Sequence, residues 1–328
     1  MFQQYISKLD QVQRFDRVVS TKDIAFGQVD SDTSQPRLAL RLPSSEVVTL
    51  EERAQAQLGG QWGIPAAHLE RLPVDLAVQE LNHFSRSAPR DITIRAVKES
   101  GREHLVARAV LSGQYAPFDS RDVLEAIAPY LHGFEVSSAI VNRDEMRVLI
   151  TMPGRDYDVS SRRVGDIVKS GLSISNSEVG SLSLRAEMSL LRLVCSNGMT
   201  TSDLKATRVR HIHIDRHEFI ARLRDTVANA GQVGEQIARR LESTHQLSLP
   251  DLNPDNGKLQ RAVLGVLRRE NLATQAFVEE AEGALREGER SLFEMVQFVS
   301  DAERLASLRL ADRVHRERVA GRLMALAA

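Results

Sequence analysis

Cysteine is nearly absent from this sequence: Cys195 is the only one in 328 residues. No disulfide can close within the chain, and no multi-cysteine metal cage can form. A single thiol suits a reducing compartment, so a cytoplasmic location is expected. Aromatic residues make up 5% of the chain, with one tryptophan, which leaves few platforms for stacking bases. No stretch approaches the ~20 apolar residues that span a bilayer. The opening MFQQYISKLDQVQR also lacks the apolar segment of a secretion signal, so no membrane partner is expected. Neither sign of charge prevails. Lys+Arg is 43 against Asp+Glu 44, a formal net charge of −1, and any affinity for nucleic acid must come from local patches.

What is present is the composition of a globular protein, 42% hydrophobic and 27% charged, enough for a substantial core. Residues 1–45 mix polar segments with short strand-like runs such as Leu38 to Leu42, the pattern of an N-terminal arm or of pairing strands. Thr49-Leu50-Glu51-Glu52 has the form of a capping box, predicting a helix that stops at Gly59-Gly60. Asp91 to Lys98 alternates Ile92, Ile94 and Ala96 with polar residues, and Leu105 to Leu111 follows a Gly-containing turn; together they predict a hairpin. Asp119 or Ser120 caps a helix bearing Val123, Leu124, Ile127 and Leu131. Phe134 to Val141 and Met146 to Met152 predict a second hairpin, and further strands fall near Ile167 to Ile174 and Leu182 to Leu193. Hairpins joined by short turns with helices beside them mean an α+β fold built on antiparallel sheet. From Asp215 the spacing of Phe219, Leu223, Val227, Val233, Ile237 and Leu241 predicts one long helix. The Pro-containing run Ser248 to Asn256 breaks the chain, and helices follow to about Ala325. The expected organisation is therefore an arm (1–45), an α+β core (46–247) and a helical C-terminal region (257–328).

Val164 to Met199 reads VGDIVKSGLSISNSEVGSLSLRAEMSLLRLVCSNGM. Its Gly165, Asp166 and Gly171, then Asn176, Ser177, Glu178 and Gly180, then Arg192, Cys195, Asn197 and Gly198, resemble the motif of a phage/plasmid-like family called domain of unknown function 932. Leu111 to Asp119 and the pair Arg210-His211 are similar to further parts of that family, and the resemblance covers roughly residues 60 to 305. It implies a setting of phages, plasmids and their accessory genes, where nucleic-acid handling is common, and carries no established activity. By their own chemistry, Asn176 to Gly180 form a tight turn, whose side chains either bond their own backbone or stand together at a sheet edge. Cys195 ends an apolar run and reads as a small buried hydrophobe, or as a nucleophile if a base lies beside it.

Arg210-His211-Ile212-His213-Ile214-Asp215-Arg216-His217 admits two readings. In a strand, His211, His213 and Asp215 share a face and could ligate a metal. The run resembles the H-x-H-x-D-H signature of metallo-β-lactamase-fold hydrolases, with one extra residue before His217. Alternatively, Asp215 followed by Glu218 is a helix start, with Asp215 accepting backbone N–H bonds. Around this run lie the basic candidates for a phosphate-binding surface: Arg143, Arg147, Arg162, Arg163 and Lys169, then Lys205, Arg208, Arg210, Arg216 and Arg222. The expected function is a non-enzymatic nucleic-acid-binding protein, with single-stranded DNA as partner, acting in annealing or as a recombination accessory. The protein is expected to form a homo-oligomer and to use no cofactor. A protein-interaction module (an anti-restriction or assembly factor) and a metal-dependent hydrolase are the alternatives.

Overall fold

The computed structural model describes residues 2–29, 36–159, 167–192, 198–201, 207–209, 211–212, 215–287 and 290–327. After α1 (Gln3–Asp10), the strands β1 (Arg14–Ser20), β2 (Ala25–Val29), β3 (Arg37–Arg41) and β4 (Val47–Leu50) lead into α2 (Glu52–Gly60), α3 (Ala66–Arg71) and α4 (Val74–Ser87). The predicted hairpin follows as β5 (Asp91–Val97) and β6 (Leu105–Ser112). These six strands form one sheet in the order β1-β5-β6-β4-β3-β2, antiparallel except between β4 and β6. The division expected at residue 45 thus falls between two paired strands, β3 and β4. Ile92, Ile94 and Ala96 on one face of β5 pack with Leu58 of α2 and Leu81 of α4. Thr93 and Arg95 point the other way. Thr49 belongs to β4, where its hydroxyl donates to Leu105 O at 3.2 Å. The ladder therefore claims the residue that the capping-box pattern assigned to a helix start.

The second half begins with α5 (Ser120–Ile127) and a 3-10 turn (Ala128–Tyr130). The second sheet contains β7 (Glu135–Val141), β8 (Glu145–Asp158), β9 (Ile167–Ser177), β10 (Leu184–Arg192), β11 (Gly198–Thr201) and β12 (Thr207–Val209). Its order is β11-β10-β9-β8-β7, with β12 also pairing β10. Gly171 permits a close approach in this sheet, since a Cβ there would lie 1.9 Å from Ile150 O on β8.

Asp215 caps α6 (Arg216–Ala228), its carboxylate accepting from His217 N at 2.8 Å and Glu218 N at 3.1 Å. The long helix expected here divides at Asn229, whose side-chain amide donates to Asp225 O at 2.6 Å and competes with the helical ladder. The second part is α7 (Ala230–Ser243). Beyond the predicted break come α8 (Lys258–Arg269), α9 (Gln275–Glu287), α10 (Leu292–Ser300), α11 (Ala302–Ala306) and α12 (Leu310–Met324). Arg313 donates to Leu305 O and Ala306 O, closing the end of α11 and separating it from α12. The chain is α+β, with antiparallel sheets first and helices at the C-terminus. One apolar core runs from Phe2 through the second sheet to Met324, so the C-terminal helices share the core of that sheet. Among the described residues, no helix is long and apolar enough to cross a membrane.

Candidate nucleic-acid interface

β9 continues through Ser177 and turns at Gly180, whose φ of +77° is a conformation glycine adopts without strain. Ser177 Oγ accepts from Val179 N and Ser181 N, both at 3.1 Å, so this side chain bonds its own turn. Asn176 Nδ2 reaches across to Phe118 O at 3.0 Å. Glu178 is fully buried, and its partners are distant in sequence. Arg14 holds it in a two-pronged contact, Nε to Oε2 at 2.8 Å and Nη2 to Oε1 at 2.9 Å. Arg108 Nη2 lies 3.3 Å from Oε2, and Ser120 N donates to Oε1 at 3.1 Å. Glu178 thus serves the first turn of α5, although Asp119 occupies the cap position without making that bond.

Asp119 is engaged elsewhere. Its Oδ1 is 2.6 Å from Arg95 Nη2, and Arg95 also meets Asp16 at 3.1 Å and Glu178 O at 3.2 Å. Arg108 reaches the junction because Ala96 faces Ala107 while Arg95 faces Ala109. Arg108 is the extra residue of a bulge, and bulges re-aim side chains. It completes its contacts with Asp144 at 3.0 Å. Burial alone would lower Arg14, but the hydrogen bond and charge of Glu178 leave it raised. Burial pushes the Tyr115 hydroxyl up to about 12. The His211 ring stacks on Tyr115, centroids 5.3 Å apart, and burial, with Arg95 close by, holds its pKa below the ordinary value. This junction clamps the two sheets together. Arg14, Arg95, Arg108 and Asp119 gave no signal in the sequence as a set, because they are far apart along the chain.

The basic candidates do not gather on one surface. Arg143 is paired with Glu51 and Glu99, a clasp between the β7–β8 turn and the first sheet. Arg147, 5% exposed, is paired with Glu317 of α12. The expectation that these two belong to an open positive face is corrected accordingly. Lys169 is half-buried in β9, opposite Asp156 in register. Arg208, Arg216 and Arg222 are exposed. Arg216 lies 3.4 Å from Asp122 and 4.8 Å over the Phe118 ring, while Arg222 pairs with Glu218 one turn earlier. Arg224 of the same basic stretch joins them, its guanidinium 5.4 Å over the ring of Tyr130, which is 36% exposed. Tyr115 and Phe118 are buried.

Arg162, Arg163, Lys205, Arg210, His213, Cys195 and Asn197 lie outside the described residues. Arg192 closes β10, and Gly198 opens β11 opposite Leu191. Asp215 is committed to its helix cap and His211 is buried against Tyr115. Among the described residues, no group of three His, Cys, Asp or Glu side chains is placed to hold a metal ion.

A family model described as Domain of unknown function (DUF932) matches residues 107–275. The chain belongs to this family. The DUF932 match starts in β6 and ends at the start of α9, a narrower span than residues 60 to 305. It contains Arg108, Asp119, Asp144 and Glu178 of the junction and the whole second sheet. Arg14, Arg95 and α12 lie beyond it. Comparison with curated proteins and with solved structures gives no match.

Proposed function

We propose that this member of DUF932 is a non-enzymatic nucleic-acid-binding protein that takes single-stranded DNA at the edge formed by β12 and α6. The observation that supports the reading is the exposed Tyr130 ring with Arg224 stacked on it, beside a helix that also exposes Arg216 and Arg222. Arg208 adds a fourth exposed guanidinium on β12, which packs against α6. An aromatic face flanked by cations matches what a single strand offers, an unpaired base next to a phosphate. Asp122 and Glu218 do not preclude it. Ion pairs between exposed side chains are worth about 0–1 kcal/mol, and phosphates can replace those carboxylates. The reading extends to a cytoplasmic protein of a mobile element that assists annealing or recombination.

The test is fluorescence anisotropy with labelled single-stranded and duplex oligonucleotides across a salt series. Single strands are expected to bind more tightly, with a log–log salt slope of about −0.7 per phosphate neutralised. Replacing Arg208 and Arg222 by Ala should flatten that slope by about 1.4. Tyr130→Ala should weaken binding by about 1–3 kcal/mol, as for loss of one stacked base. Absence of binding at low salt, where phosphate contacts are strongest, removes the proposal.

A further inference from the structure

The two faces of the second sheet differ in kind. One carries Val148, Ile150, Leu172, Ile174, Ala186 and Met188, packed in the apolar core with α6 and α7. The other is polar yet buried, and one line of residues crosses it. Arg208 on β12 faces Arg185 on β10, Arg185 faces Ser175 on β9, and Ser175 faces Arg147 on β8. Directly opposed residues share a face, and neighbouring strands lie about 4.8 Å apart. Three arginines and a serine therefore form one row across four strands. Only the Arg208 end is open to solvent; Arg185 and Arg147 are 8% and 5% exposed.

At the buried end lies α12. Glu317 meets Arg147, and Arg318 Nε donates to Glu187 at 3.0 Å. Glu187 also receives Arg185 at 3.3 Å. The buried apolar residues of α12 run along its length, Leu310 and Val314 and then Val319, Ala320, Leu323 and Met324, while Glu317 and Arg318 make its ionic contacts with the sheet. Four guanidiniums (Arg147, Arg185, Arg208 and Arg318) stand here with two carboxylates, Glu187 and Glu317. Arg185 has its pKa lowered first by burial and then by Arg318 and Arg208, with Glu187 opposing them without restoring it. Apolar side chains of similar volume would hold a helix on a sheet as well or better. The surplus of arginine is what a phosphate backbone would use.

We propose that the row Arg208–Arg185–Ser175–Arg147 is a second, covered phosphate-binding surface for single-stranded DNA, with α12 its internal occupant and Glu317 standing where a phosphate binds. The proposal rests on the reading of the β12 and α6 edge as a nucleic-acid site, which Arg208 joins to this row. A strand bound at the edge extends along the row when α12 moves aside.

The experiment compares wild type, Glu317→Gln, and Glu317→Gln combined with Arg147→Ala in the same anisotropy assay, with circular dichroism to establish folding. Glu317→Gln should steepen the salt slope by about 0.7 for each additional phosphate neutralised, and Arg147→Ala should abolish that increase. Hydrogen exchange on wild type adds a measurement independent of the variants. Saturating oligonucleotide should speed exchange of the α12 amides. A folded Glu317→Gln protein with the wild-type slope, or α12 exchange unchanged by bound DNA, overturns this proposal and leaves the open-edge reading standing. Binding by Glu317→Gln alone removes the open edge, and with it the extension of a strand from that edge along the row. No binding by any of the proteins overturns both.

Discussion

At the scale of single residues, Glu178 holds the widest set of connections. Its carboxylate joins β1 through Arg14, β6 through Arg108 and α5 through Ser120 N. Removing one member of a buried ionic group strands the others without a counter-charge, at about 3–5 kcal/mol. Glu178→Ala should lose about that much stability in urea unfolding, and Glu178→Gln less, because it still accepts hydrogen bonds. An effect of Glu178→Ala below about 1 kcal/mol, the level of an exposed pair, would deny the junction its clamping role. His211 sets a pH dependence. Burial favours its neutral form in the folded chain, so the unfolded chain takes up the proton first as pH falls below the ordinary value of 6.5. Stability is then lost toward acid, by up to about 1.4 kcal/mol per pH unit for one proton. His211→Phe keeps a ring on Tyr115 without the titration. Its stability should fall less steeply than that of wild type as pH drops below 6.5, and parallel curves would show that His211 does not contribute.

Among the elements, the β8–β9 pair depends on Gly171. A methyl group there would meet the Ile150 carbonyl at 1.9 Å, a backbone atom that can yield only if the strands separate. Gly171→Ala should therefore destabilise by at least the 1–3 kcal/mol typical of overpacking, about as much as an added methylene in a tight core. A loss below about 0.5 kcal/mol would mean that the strands part without strain. The helices follow local chemistry more closely. Asp215 was readable as a cap because Glu218 and a periodic apolar stripe follow it, and its carboxylate takes the two N–H groups that the pattern implies. The breaks at Asn229 and between α11 and α12 were not readable. Apolar spacing persists across both, and only side chains returning to backbone carbonyls end the helices there.

For the whole molecule, the division expected near residue 250 separates segments that share one core. Leu264 and Leu267 of α8, Met295 and Val299 of α10 and Leu323 of α12 belong to the cluster that contains Leu172 and Met188 of the second sheet. A chain ending after Leu247 should therefore lose cooperative unfolding and expose apolar surface, seen as a broadened urea transition and dye binding. A sharp transition in the truncated chain would establish residues 1–247 as an independent unit. Charge at this scale is balanced, with a net −1, so binding to phosphate depends on where arginines are open and where carboxylates already hold them.

The sequence by itself determined the α+β class, both hairpins, the cap at Asp215 and the special character of the Asn176 to Gly180 turn. Each of these rests on neighbours within a few residues, where period and turn chemistry act. Tertiary structure decided which arginines stay exposed. Arg143 and Arg147 read like Arg208 and Arg222 along the chain, yet Glu99 and Glu51 take the first and Glu317 the second. It also brought Arg14, Arg95, Arg108 and Asp119 to Glu178, and set Arg185 in line with Arg147 and Arg208. The reason is physical: a side chain's charge is local, but its partner and its burial depend on strand register and on helices that arrive from far along the chain.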